Sequence, residues 1–127
     1  MYVQQRWSDI VVQRNYIVLV EGVVKVDDGT ITSWLKENSV HHMFSSQIPN
    51  DGDLAITRFR VIGRGDKYSL LEATLETGKK NQIRVHMADI GHPVAGDRKY
   101  GAKTNPLGRL GLHAKVMVIT QDRKSVV

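Results

Sequence analysis

The chain has 127 residues, 41% of them hydrophobic, no cysteine and a formal net charge of +5. That is the size of one ordinary domain with a core of its own, and it excludes wholesale disorder, a disulfide framework and a cysteine-ligated zinc site. The longest apolar run, Ile17 to Val20, is too short to span a bilayer, and the opening MYVQQRWSDI lacks the basic start and apolar stretch of a signal peptide, so a reducing cytoplasm is expected.

Residues 1–57 hold four Lys/Arg against seven Asp/Glu, residues 58–109 eleven against five, and residues 110–127 three against one. Positive potential therefore gathers in the middle of the chain. A basic face of this kind meets a polyanion, usually nucleic acid, or else serves as a solvated, solubilising face.

Along the chain, Met1 to Asp9 reads as a loose helical remnant. Arg14 to Val26 is rich in β-branched residues and reads as a buried strand, with Gly22 marking a bulge or the end of its first half. VDDGT is a turn. TSWLKENS reads as one or two helical turns capped by Thr32 or Ser33. His41 to Asp53 is polar, contains Pro49, and reads as a loop. Next comes the clearest hairpin. Ile56, Arg58, Arg60 and Ile62 alternate with Thr57, Phe59 and Val61; GRGD turns the chain; Leu71, Ala73 and Leu75 alternate with Leu70, Glu72 and Thr74. A helix follows, with Ile83, Met87 and Ile90 on one stripe, Gly91 at its C-terminal cap and Pro93 beyond. A long Gly- and Pro-containing loop from Gly91 to Gly108 leads to a last strand, Leu110 to Thr120. The expected class is α+β, a mixed, mainly antiparallel sheet with short helices in a single domain over 1–127.

The helix entry raises a question of charge. Lys79, Lys80 and Arg84 fall in its first turns, where the helix dipole already repels cations. Thr77 can cap the helix and Gly78 permits an unusual entry. Free backbone N–H groups with Lys79 and Lys80 would suit a phosphate. Arg84 lies near the apolar stripe. It either needs a buried carboxylate or carries its head out to water, and spacing alone tilts toward the second.

The run ETGKKNQIRVHMADIGHPVAGDRKYG, followed by RLGLHA, resembles the C-terminal motif of the RluA-type pseudouridine synthases. That pattern runs T-G-R-[TS]-H-Q-[IL]-R-V-H, then G-H-P, G-D, Y-G and L-H-A. Thr77, Gly78, Gln82 to His86, Gly91 to Pro93, Gly96, Asp97, Tyr100, Gly101 and Leu112 to Ala114 match it. RNYIVLVEG is similar to the family's basic-x-Tyr strand motif, with Arg14 and Tyr16 in place. The resemblance extends over about residues 6 to 120. It implies part of a pseudouridine synthase catalytic fold that isomerises uridine in RNA without a cofactor. Tyr16 would face the target base, and Arg84 would pair with the catalytic aspartate. Arg14, Lys79, Lys80, Asn81, Gln82, Arg98, Lys99 and Arg109 would contact a structured RNA, ribosomal or transfer.

Two departures accompany these matches. The family's H-R-L-D-type aspartate motif is not among the 127 residues, and Lys79, Lys80 and Asn81 replace the common Arg, Thr/Ser and His. Lysine keeps charge but loses the bidentate fork. The expectation is therefore a C-terminal portion of the catalytic domain that is inactive alone, or, as the alternative, a non-catalytic RNA-binding module. Exposed sheet edges would allow pairing between copies. No metal site is expected: His41 and His42 read as solvent-exposed loop residues. GRGD reads as a turn, and Trp7 and Trp34 as packing anchors.

Overall fold

The structure, a computed structural model, describes the backbone of residues 10–120 and the side chains of residues 15–114. The helical reading of Met1 to Asp9 and the anchor role of Trp7 lie outside the described residues. The strongest pattern in the sequence is also the clearest element pair. Strands β4 (Asp53–Arg64) and β5 (Tyr68–Leu75) run antiparallel, with Phe59 opposite Ala73 and Val61 opposite Leu71. A register shift between Val61 and Gly63 gives β4 a bulge at Ile62.

Around this hairpin the other strands complete a six-stranded sheet in the order β3-β2-β4-β5-β1-β6. The remaining members are β1 (Ile10–Glu21), β2 (Asp28–Glu37), β3 (Met43–Ser46) and β6 (Leu112–Thr120). Every strand pair among the described residues is antiparallel, so the expected mixture reduces to one type of ladder. The reason lies in β1. It pairs with both β5 and β6, and so separates these two mutually parallel strands, which the helix and the long loop connect.

Three expectations are corrected. TSWLKENS is not helical: Thr32 to Glu37 belong to β2, where Ser33 and Leu35 face the core and Thr32, Trp34 and Lys36 the other side. β2 has β4 on one side and β3 on the other, so both ladders satisfy its backbone and override weak helical signals. Second, the polar stretch after His41 contains β3, a four-residue edge strand whose Met43 is buried. Third, β1 ends at Glu21 rather than Val26, because Gly22 adopts φ +86° and turns the chain out of the ladder.

Among the described residues one α-helix, α1 (Gln82–Asp89), lies across one face of the sheet. Gly91 caps it in the left-handed region at φ +83°, as its sequence position implied. Its apolar side chains divide between two clusters. Ile83 and Met87 pack with Val18, Val20, Phe59, Leu71, Ala73 and Val94, and Ile90 packs against them. Val85 packs with Leu35, Met43, Ala55 and Tyr100. Between the clusters runs a polar seam of Ser33, Thr57, Gln82 and His86, all at most 2% exposed. Burying each large apolar side chain contributes about 1.5–3 kcal/mol, and the seam's hydrogen bonds offset the desolvation of its polar groups.

The segment from Gly91 to Gly111 crosses over β1 and is tied down along its length. Ala95 N–H donates to the Leu19 carbonyl at 2.8 Å and Leu19 N–H to that of Gly111 at 2.8 Å. The Glu21 carboxylate accepts the backbone N–H of Lys103 at 2.9 Å and of Thr104 at 2.7 Å. Gly96 is required here: φ is +84°, and a Cβ would stand 2.7 Å from the Arg109 carbonyl oxygen. The segment contains one 3-10 turn, Arg98–Tyr100, just after Asp97. No helix among the described residues is long and apolar enough to cross a membrane.

Candidate active site

Where β1, β5, β6 and the start of α1 meet, a cleft of about 170 Å³ opens, lined by Tyr16, Leu75, Lys79, Asn81, Gln82, Ile83, Arg84 and Leu112. Tyr16 sits opposite Ala73 on β5 and Ala114 on β6, so small neighbours on both sides leave its ring room to face the cleft. Leu75, Ile83 and Leu112 supply apolar walls. Tyr16 and Arg84, 68 positions apart in sequence, are brought to one site.

Arg84 does not carry its head out to water. Its Nε donates to Asp97 Oδ2 at 2.9 Å and its Nη2 to Oδ1 at 2.8 Å, a bidentate pair whose carboxylate is 1% exposed. Nη1 donates to Asn81 Oδ1 at 3.2 Å, and the guanidinium carbon stands 4.9 Å from the centre of the Tyr100 ring. The Asp97 hydrogen bonds raise the Arg84 pKa above its ordinary value, outweighing the opposing effect of burial. Tyr100 is fixed in turn. Its hydroxyl accepts Met43 N–H at 3.1 Å, and the His42 ring packs against it at 4.5 Å between centroids. The sequence pattern placed Asp97 and Tyr100 in a motif but gave them no role. The signal was the G-D-x-x-Y-G spacing, and only the fold shows that it completes Arg84.

The helix entry differs from expectation. α1 begins at Gln82, so Lys79 and Lys80 precede it rather than occupy its first turn. Thr77 does not cap the helix; its hydroxyl accepts Ile56 N–H at 2.9 Å and donates to Gln82 Oε1 at 2.9 Å. Asn81 takes the N-cap position in the left-handed region, φ 57°, and its side chain caps nothing.

The residues expected at RNA separate into groups. Lys79 and Asn81 line the cleft. Lys80 is exposed, does not line the cleft, and pairs with Glu37 at 2.7 Å. Arg98 and Lys99 are exposed on the 3-10 turn, with Lys99 Nζ 5.7 Å from the Tyr100 ring. Gln82 is 2% exposed at the cleft wall, and its amide bonds inside the fold to Lys79, Ile56 and Thr57. Arg109 stands apart from these. It lines a separate cleft with Ile17, Leu19 and Leu70, residues of the opposite sheet face, because the loop's return to β6 carries it around the sheet. Arg14 pairs through its backbone with Leu75 and Val116, and its side chain lies outside the described ones.

The site thus joins Tyr16, on an inner strand of a six-stranded antiparallel sheet, to Arg84 on the helix that crosses it. The family model for RNA pseudouridylate synthase matches residues 2–89. The chain belongs to that family, and its RluA-type resemblance is borne out. It is 42% identical over 113 residues to a Bacillus subtilis (strain 168) protein named as an uncharacterized RNA pseudouridine synthase, YlyB, covering 88% of this chain and 37% of the relative. It is 36% identical over 126 residues to ribosomal large subunit pseudouridine synthase D of Nitrosomonas europaea, covering 91% and 36% respectively. The chain thus spans little more than a third of these relatives. Among solved structures, human RNA pseudouridylate synthase domain containing 1 superposes with a TM-score of 0.73 at 23% identity, covering 94% of this chain and 56% of that one. That likeness shows a shared fold.

Proposed function

We propose that this chain forms the Tyr16–Arg84 side of a uridine pocket in an enzyme that isomerises uridine to pseudouridine in structured RNA, ribosomal or transfer, in the cytoplasm. The observation that carries the reading is the convergence of Tyr16 and a pre-set Arg84 on one apolar-walled cleft. In the reaction the C1′–N1 bond breaks, C1′ bonds to C5, the C5 hydrogen leaves as a proton and N1 gains one. Leu75, Ile83 and Leu112 would keep water from the displaced base, and Tyr16 would lie along it.

Arg84 has a defined share in this. A guanidinium carries five N–H donors, and Asp97 and Asn81 engage three of them. Two remain without a partner among the described residues. They suit a second carboxylate, the role the family resemblance gives to the catalytic aspartate, so Arg84 would hold Asp97 and that aspartate together. None of the residues lining the cleft is an Asp or Glu. The nucleophile in this reading is not one of the cleft's own residues, and the 127-residue chain binds RNA through Lys79, Lys80, Arg98 and Lys99 without turnover. Pairing of copies along β3 or β6, the outer strands of the sheet among the described residues, belongs to the same reading.

Tritium release from RNA labelled at uridine C5 tests it. Release is expected when the chain is joined behind an aspartate-bearing segment of the Bacillus subtilis relative, and not from the chain alone. Catalytic release by the chain alone would overturn the assignment of the nucleophile. No release from the joined protein, with RNA binding intact, would favour a non-catalytic binding module.

A further inference from the structure

The seam between the two apolar clusters is a continuous chain of hydrogen bonds, and both of its ends have fixed polarity. At one end the Lys79 backbone N–H, a donor only, meets Gln82 Oε1 at 3.0 Å, and Gln82 Nε2 meets the Ile56 carbonyl, an acceptor only, at 3.0 Å. The Gln82 amide therefore has one orientation, and its Nε2 donates to Thr57 Oγ1 at 2.9 Å. At the other end the Asp89 carboxylate accepts from Ser45 Oγ. A hydroxyl has one hydrogen, so the 3.0 Å contact between Ser45 and Ser33 must be donated by Ser33. Ser33 then has no hydrogen left for His86 Nε2, 2.8 Å away, and that nitrogen must carry the proton itself.

The imidazole between these ends is fully buried, and desolvation lowers its pKa to about 4, so it is neutral. A neutral ring protonated at Nε2 has a bare Nδ1. That nitrogen can only accept, and the Thr57 hydroxyl 2.7 Å away is the donor. All bonds from Lys79 to Asp89 then point the same way, with no donor facing a donor.

We propose that His86 is a positioning residue of the cleft: held as the Nε2–H tautomer, it orients the Thr57 hydroxyl, which holds the Gln82 amide, which in turn holds the Lys79 backbone at the cleft wall. Its importance for RNA rests on reading the cleft as a uridine pocket; the tautomer and the hold on Lys79 do not. The relay leaves α1 at His86, passes through β4 at Thr57, and returns to the segment that carries both cleft cations, Lys79 and Arg84.

The test is nuclear magnetic resonance on the 127-residue chain without RNA. Long-range proton–nitrogen correlations should show a pyrrole-type Nε2 and a pyridine-type Nδ1 for His86 at neutral pH. The opposite tautomer, or an averaged pair of nitrogens, would overturn the proposal. Thr57→Val removes the relaying hydroxyl in an isosteric side chain. It should speed Lys79 amide exchange by about tenfold, the equivalent of one lost hydrogen bond, with the Leu71 amide unchanged. Thr57→Ser should restore slow exchange. Unchanged Lys79 exchange in a folded Thr57→Val chain would refute the relay. Should Thr57→Val not fold, the tautomer of the unaltered chain and the Thr57→Ser exchange rate decide. Failure of the unaltered chain to bind RNA would count against the uridine-pocket reading alone, and the tautomer and exchange results would still decide the role of His86.

Discussion

Arg84 and Lys80 stand four residues apart in one motif, and each meets one carboxylate, but the two pairs obey different physics. Asp97 is 1% exposed and grips Arg84 through two bonds, with the Tyr100 ring behind the guanidinium. Glu37 is open to solvent and meets Lys80 through one bond, with His41 nearby at 3.3 Å. Hydrogen bonding to Lys80, ahead of His41, lowers the Glu37 pKa, yet an exposed pair of this kind is screened and contributes little to stability. The buried pair fixes a cation before any ligand arrives. The exposed pair can exchange its carboxylate for a phosphate with little loss. One motif thus holds a preorganised charge for the cleft and a replaceable charge beside it.

Breaking the buried pair should have the largest effect. Arg84→Met leaves the Asp97 carboxylate buried without its partner and should cost about 3–5 kcal/mol in urea unfolding. Arg84→Met combined with Asp97→Leu should cost less than Arg84→Met alone, because the unpaired charge is then gone. If the double variant is the less stable, the pair's worth lies in attraction rather than in relief of desolvation.

Next in size is the neutral state of His86, between Ser33 on β2 and Thr57 on β4. Its pKa falls from 6.5 to about 4 on folding, so between these values this imidazole binds more proton in the unfolded chain than in the folded one. The contribution is complete above about pH 6.5 and is lost as pH falls toward 4, by roughly 3 kcal/mol in all. Unfolding measured across this range should show that slope, and His86→Gln should flatten it.

Gly96→Ala tests the loop that delivers Asp97. With φ +84° and a Cβ placed 2.7 Å from a backbone oxygen, it should destabilise by about 1–3 kcal/mol and loosen the grip on Arg84. Lys80→Ala marks the other limit. The unfolding midpoint should stay unchanged, while the slope of log affinity for RNA against log salt should fall by about 1.

How far the sequence could be read follows from the same physics. The β4–β5 hairpin was legible because one face is buried and the other wet, so period two is clean: Thr57, Phe59 and Val61 inward, Arg58 and Arg60 outward. β2 was not. Its outward Thr32, Trp34 and Lys36 and inward Ser33 blur the alternation, since polar Ser33 belongs to the seam. The cleft was half legible. The motif spacing marked Tyr16 and Arg84, but no spacing shows that the carboxylate for Arg84 is Asp97. The buried role of Gln82 was hidden for the same reason: its partners Ile56, Thr57 and Lys79 come from two separated segments.

The central claim is that uridine enters between Tyr16 and Arg84. Titrating a uridine-containing RNA oligonucleotide into the nitrogen-15-labelled chain tests it most directly. Amide shifts should concentrate at Tyr16, Lys79 to Arg84 and Leu112. Shifts concentrated instead around Arg109, Leu107 and Leu70, on the opposite face, would contradict the account.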